Sequence, residues 1–303
     1  AFAAYFAGEA PRHVQTAGQT KQRLAASASL GINNSAGEDS GEEAPDLAAA
    51  ASGEEILRHR DIGQLTPEER EQLQRLFALL TPNPPLRRSR RRTPANRGNV
   101  HVARTVRRAL QNGGEIVSLS RRTARNRPRR VVALLDVSGS MSPYADALLR
   151  FAHALSRAHP GTTEVFTIGT RLTRVTREMA LRDPDRALAA SGAAIPDWSG
   201  GTRLGEVLKA FLDRWGQRGV ARGAVVILAS DGWERGDPDS LAVQMSRLHR
   251  LAHRVIWVNP HKGRTGYEPL TRGMAAALPY VDSFVSGHSL AAFEELAKEI
   301  ADA

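Results

Sequence analysis

The chain has 303 residues and a formal net charge of +10, enough length for one large domain with a full core and a smaller region beside it. Cysteine is absent, which excludes disulfides, thiol catalysis and thiolate metal sites in this chain. No run of about 18 apolar residues occurs, so no membrane-spanning helix is expected.

The chain opens at AFAAYFAGEA, without Met and with the apolar spacing of a helix tail already under way. Its Ala, Ser and Arg content has some character of a transit peptide, against which Glu9 stands. Residues 11 to 53 hold Ala, Gly, Ser, Glu and Gln with few large apolar side chains, the composition of a flexible linker. From Ser52 the pattern changes, with helix starts near Ser52 and at Thr66. Thr66, Pro67 and Glu69 form a capping box with Pro at the first helical position, and Leu73, Leu76, Phe77 and Leu80 lie on one face. That face is expected to dock on the main domain or on a partner, core packing being the commoner outcome. The expected division is 1–51 (helix remnant and linker), 52–99 (helical segment and arginine-rich connector) and 100–303 (main domain).

Between Thr81 and Arg130, fifteen arginines stand against the single acid Glu115. Arg87, Arg88, Arg90, Arg91 and Arg92 sit among prolines and are expected to be exposed. Such a run fits an acidic protein surface or nucleic-acid phosphates, or is simply a solvated face, a protein partner being the favoured reading. No aromatic side chains interleave it, which weakens a single-strand reading. His101 to Gln111 reads as a helix closed by Asn112-Gly113-Gly114, and Glu115 to Leu119 alternates like an edge strand leading into a central one.

Residues 131 to 141 read VVALLDVSGSM. Val131 to Leu135 is short, β-branched and uninterrupted, as a parallel strand buried on both faces must be. It empties into Asp136, Ser138 and Ser140 at the strand end, where open α/β sheets place ligands. Gly139 allows a tight turn, and the alternation lets one carboxylate and two hydroxyls converge. Thr202, in GGTRLG, offers a third hydroxyl. Ala224 to Ala229 repeats the buried-strand design and ends in Ser230, Asp231 and Gly232. Two carboxylates and three hydroxyls form a hard, oxygen-only set suited to Mg²⁺, Mn²⁺ or Ca²⁺, with water or an anionic ligand filling the remaining positions.

The other elements follow the same alternation. Helices are expected at Tyr144–Ala158, Asp183–Ala190, Leu204–Trp215, Leu241–Leu251 and Leu290–Ile300. Strands are expected at Glu164–Ile168 and Leu172–Val175, joined as a hairpin around Gly169, and at Val255–Val258 and Val281–Phe284. The pattern predicts an α/β fold, a doubly wound and mostly parallel sheet with helices on both faces, preceded by a small helical region.

Asp136, Ser138, Ser140, Thr202 and Asp231 resemble, position by position, the metal-ion-dependent adhesion site (MIDAS) of von Willebrand factor A (VWA) domains. DVSGSM, EVFTIGTRLTRVTREM, DWSGGTRLGE, SDGWERGDP, VIWVNPHKG and GMAAALPYVDSF resemble the CoxE-like branch of these proteins over roughly residues 100 to 300. The resemblance implies a cytoplasmic bacterial accessory protein, not an enzyme, that binds a MoxR-type AAA+ ATPase. It also implies a client metalloenzyme whose metal cofactor is matured, a molybdenum hydroxylase of the carbon monoxide dehydrogenase type. The inferred bond at the site is an acidic residue of the partner completing the coordination of Mg²⁺. The resemblance further implies more helical sequence before AFAAYFAGEA, hence a truncated or misassigned start.

Strand-end Asp, Ser138 or Ser140 can simply cap the helix that begins near Ser142. A haloacid dehalogenase phosphatase needs a second acid two residues after its nucleophile, where this chain has Ser138, so a Mg-dependent hydrolase is disfavoured. No GxxxxGK[ST] motif is present, so nucleotide hydrolysis falls to a partner. A nucleic-acid-binding protein using residues 87–130 is the main alternative. Four Met and nine His are scattered without a cluster, which disfavours copper carriage. His261 and Lys262 read as loop residues near the metal face, His288 as a cap or surface residue, and Asp237 as a supporting acid or a helix cap before Pro238. Trp198 and Trp233 are expected to flank the metal or to pack structurally.

Overall fold

The computed structural model describes residues 53–195, 201–264 and 266–303. The opening helix remnant, the linker before Gly53, Gly200 and Trp198 lie outside the described residues. The chain divides into two compact units, Ala1–Leu57 and Arg58–Ala303. Of the first, residues 53–57 are described and are helical.

In the second unit, α1 (Pro67–Leu79) starts at the expected capping box: Thr66 Oγ1 accepts from Glu69 N at 3.3 Å, and Glu69 Oε2 accepts from Thr66 N at 2.9 Å. Leu73 and Phe77 are buried, and Phe77 meets Phe293 edge-on at 5.2 Å. The apolar face of α1 therefore packs into the main domain.

The arginine-rich segment folds into a small separate sheet. β1 (Leu86–Ala95), β2 (Asn99–Val100) and β3 (Arg121–Pro128) are antiparallel in the order β1-β3-β2, with α2 (Val102–Gln111) inserted after β2. The edge strand expected at Glu115–Leu119 is absent; these residues have no regular structure, and Ile116, Val117 and Leu119 are exposed. Both sides of the central strand are taken by parallel neighbours. The strand that leads into it is instead β3, whose polar residues pair with β1.

The main sheet comprises β4 (Val131–Asp136), β5 (Thr163–Ile168), β6 (Leu172–Arg174), β7 (Val225–Ala229), β8 (Arg254–Asn259) and β9 (Ser283–Ser286), in the order β6-β5-β4-β7-β8-β9. All neighbours run parallel except β6, which forms the expected hairpin with β5. Every residue of β4 and β7 is buried, as the uninterrupted apolar runs require. Helices α3 (Ser142–Ala158), α4 (Pro184–Ala194), α5 (Leu204–Phe211), α6 (Pro238–Leu251), α7 (Arg272–Ala277) and α8 (Leu290–Ala301) cover the sheet. Alternate β4 residues Val132 and Leu134 share one core with α5, α6 and α7. On the other face Phe151 of α3 packs on Phe293 of α8.

α5 runs past its expected end near Trp215. It continues as a π-helical segment, Leu212–Val220, stopped at Gly219 with φ 117°. Trp215 packs on Phe166 at 5.2 Å within this extension.

Candidate metal centre

Strand register brings the two acidic loops together. Leu135 pairs with Ala229, so the next residues, Asp136 and Ser230, leave the sheet side by side. Ser230 Oγ donates to Asp136 Oδ2 at 2.7 Å. Asp136 Oδ1 accepts from Ser138 N at 2.9 Å and from Thr202 Oγ1 at 3.4 Å. Ser138 and Ser140 approach each other, Oγ to Oγ, at 3.3 Å. Neither hydroxyl caps a helix: Ser138 precedes the 3₁₀ turn Gly139–Met141 without a side-chain cap bond, and α3 also starts without one. The helix-capping alternative for these two side chains thus fails.

Asp231 sits at the next turn. Its Oδ1 accepts from Trp233 N at 3.0 Å, and its carbonyl accepts from Asn259 Nδ2 at 3.2 Å. Gly232 turns the chain with φ 77°, and a Cβ there would lie 2.4 Å from Met274, so only glycine fits. Glu234 ties two loops together, accepting from Gly205 N at the start of α5 and from Gly236 N. Arg235 N donates to the Thr202 carbonyl at 3.3 Å. No motif in the sequence marks Ser230 or Glu234 as a contributor. Ser230 was legible in principle, because a carboxylate buried at a strand end needs a donor for each oxygen and the neighbouring strand ends in a hydroxyl.

Asp136, Ser138, Thr202 and Asp231 are buried, and Ser140 is exposed. Burial pushes the Asp136 carboxyl above its usual range; bonds from Ser138 and Ser230 oppose this, and the nearby Asp231 charge adds to it. Among the described residues neither carboxylate forms an ion pair. Two neighbouring buried acids without a basic partner are electrostatically incomplete, and a divalent cation would balance both. The donor set is all oxygen, which fits a hard cation. No group of three or more His, Cys, Asp or Glu suited to a metal occurs among the described residues, so no softer site competes.

A cavity of about 500 Å³ opens beside Asp231, which lines it with Ser140, Trp233, His261, Arg264 and Tyr267. Trp233 is 63% exposed at its rim. The His261 ring stands edge-on to Tyr144 at 6.0 Å, and burial pulls its pKa below the usual value. Asp237 caps α6, accepting from Asp239 N and Ser240 N, and His288 accepts at its carbonyl from Ile62 N. Among the described residues no helix is long and apolar enough to cross a membrane.

No curated protein matches the chain. Among solved structures it is similar to von Willebrand factor type A from Catenulispora acidiphila (18% identity, TM-score 0.44, 60% of this chain and 43% of that one). It is also similar to proximal thread matrix protein 1 from the mussel byssus, solved with a zinc-occupied MIDAS motif (17%, TM-score 0.39, 57% and 44%). A third is the manganese-loaded TRAP protein of Plasmodium vivax (17%, TM-score 0.33, 50% and 73%). The match spans less than half the length of the first two chains. A family model described as "VWA domain containing CoxE-like protein" matches residues 73–293, and with the parallel sheet and the DxSxS, Thr and Asp loops at its edge, the chain belongs to that family.

Proposed function

We propose that this chain is a metal-dependent adaptor. In this reading it uses the sheet edge to capture an acidic side chain of a partner, and works with a MoxR-type AAA+ ATPase in maturing a client metalloenzyme, a molybdenum hydroxylase of the carbon monoxide dehydrogenase type. The proposed setting is cytoplasmic. The observation that carries the reading is the pair of buried acids, Asp136 and Asp231, without a basic partner and ringed by Ser138, Ser140 and Thr202. These five residues would hold Mg²⁺, or Mn²⁺ or Ca²⁺, and the ion would supply a charge centre for an incoming carboxylate. The chain's own part is orientation. Ser230 and the Ser138 amide fix the Asp136 carboxylate, Glu234 and Arg235 hold the Thr202 loop, and exposed Trp233 offers an apolar contact to a partner whose docking excludes water, where electrostatic attraction is strengthened.

Recognition is favoured over turnover by the surroundings of Asp136. Donors from this chain orient both of its oxygens, each keeping a lone pair for a cation. The residue two positions on is Ser138, with no acid to protonate a leaving group.

The test is affinity capture with the intact chain and with Asp136→Ala, each in Mg²⁺ and in EDTA, read by mass spectrometry. A MoxR-type ATPase and a large metalloenzyme are expected only with the intact site and Mg²⁺, with recovery falling on the order of tenfold or more otherwise. Recovery indifferent to both metal and mutation sinks the adaptor reading.

A further inference from the structure

The small sheet emerges from the end of the main sheet opposite the acids. β3 runs into the start of β4, whereas Asp136 is the last residue of β4; at about 3.3 Å per residue the two ends are roughly 17 Å apart. The base of this arm is fastened. Arg129 N donates to the Pro85 carbonyl at 2.7 Å, and the guanidinium groups of Arg129 and Arg130 donate to Gly223 and Gly219 carbonyls at 3.1 and 2.7 Å.

Beyond the base, Arg87, Arg88, Arg90, Arg91 and Arg92 are all exposed, as are Arg121 and Arg125. Consecutive exposed residues in a strand mean that both faces of the ribbon meet solvent. None of these arginines forms an ion pair among the described residues. Arg87 lies directly opposite Arg127, a cross-strand like-charge pair that opposes folding of the ribbon. Beside the ribbon, α2 buries Thr105 and Ala109 and turns Val102, Val106 and Leu110 outward, at 68, 49 and 74% exposure. Spaced by four, these form one apolar stripe, and exposed Ile116 and Val117 follow it in the chain.

We propose that the ribbon and α2 form a docking surface for an acidic polypeptide segment that also carries apolar side chains. This surface is separate from the metal centre, and the inference does not rest on the function proposed above. Charge complementarity excludes a second copy of this arm, since fifteen arginines between Thr81 and Arg130 face one acid. Duplex nucleic acid would satisfy the arginines but leave the Val102–Val106–Leu110 stripe in water. A planar lipid surface would meet only one face of a ribbon charged on both. A polypeptide alone of these can pair carboxylates with both faces and cover the stripe, and arginine beside apolar side chains is the composition of protein interfaces.

The experiment is fluorescence anisotropy on the full chain with a short peptide in which Leu recurs among Glu. The comparison ligands are the same peptide with Ser for Leu, a DNA duplex of equal charge, and phosphatidylglycerol vesicles. The Leu peptide should bind with steep salt dependence and about tenfold or more tighter than the Ser peptide. Arg88→Ser/Arg91→Ser/Arg92→Ser should weaken both peptides on the order of tenfold or more, and Val106→Ser/Leu110→Ser should erase the preference for Leu. Circular dichroism of each variant establishes that it is folded. Binding should be unchanged in Asp136→Ala and in EDTA, which separates this surface from the metal centre. Equal binding of Leu and Ser peptides, or tighter binding to the duplex or vesicles that ignores Val106→Ser/Leu110→Ser, overturns the proposal.

Discussion

The two ends of strand β4 handle charge in opposite ways. At its C-terminal end Asp136 is 1% exposed, and each oxygen is met by a named donor from a neighbouring loop. At the other end a ribbon of arginines stands in water with no acidic partner among the described residues. Burial makes a charge costly, so the first end is built from a few exact contacts. Exposure makes a charge cheap, so the second accumulates many of them with little internal packing. Order at the acidic end comes from geometry, and charge at the basic end from density.

This contrast is sharpened by mutations of graded size. The largest effect is expected at Trp257, which is fully buried and donates from Nε1 to the Ser230 carbonyl at 2.9 Å. Trp257→Ala should cost about 3–5 kcal/mol in urea denaturation, through the cavity and the orphaned carbonyl. A cost within the error of a surface substitution would mean that the acidic end is not braced by the core.

Next comes Asp136→Asn. Because burial raises the Asp136 carboxyl, removing its charge should stabilise the metal-free protein. Mg²⁺ at 100 times its Kd should stabilise the wild type by about 2.7 kcal/mol and leave this variant unmoved. Calorimetry in Mg²⁺ and in EDTA checks both signs, and a variant less stable than wild type in EDTA would make Asp136 a structural acceptor rather than half of an unfinished ion site.

The smallest effect is expected in the arm. Arg87→Thr removes the repulsion with Arg127 and adds a β-branched side chain, so stability should rise by about 0.2–0.5 kcal/mol, read as a slight upward shift of the thermal midpoint. A clear loss of stability would show that the arm's arginines brace the fold after all.

The acidic end was legible in the sequence because its chemistry is local: DVSGSM and SDG each end a buried apolar run, parallel pairing forces such ends to one edge, and Thr202 stands just before the helix at Leu204. What stayed hidden were partners set by register, Ser230 beside Asp136, and by loop packing, Glu234 on Gly205. The basic end was legible only as charge. Strand patterns are read from alternating apolar residues, and LRRSRRRTPA pairs with RRTARNRP almost without them. The alternating stretch Glu115–Leu119 looked more like a strand than either, yet no partner strand was free to receive it. The extension of α5 beyond Trp215 was unreadable for a similar reason, since π geometry leaves no periodic mark distinct from an α-helix's end.

The irregularity in the β1–β3 pairing sets the arm's behaviour in salt. Between the pairs Arg87↔Arg127 and Arg92↔Ala124, β3 advances three residues while β1 advances five. Five β1 arginines are therefore gathered along roughly 10 Å of β3. Two unit charges in water repel with about thermal energy at some 7 Å, and successive β1 arginines leave the backbone closer together than that along the ribbon axis. The arm is in this sense a short polyelectrolyte that gathers small anions from solution, and any polyanion that docks on it releases them to the bulk.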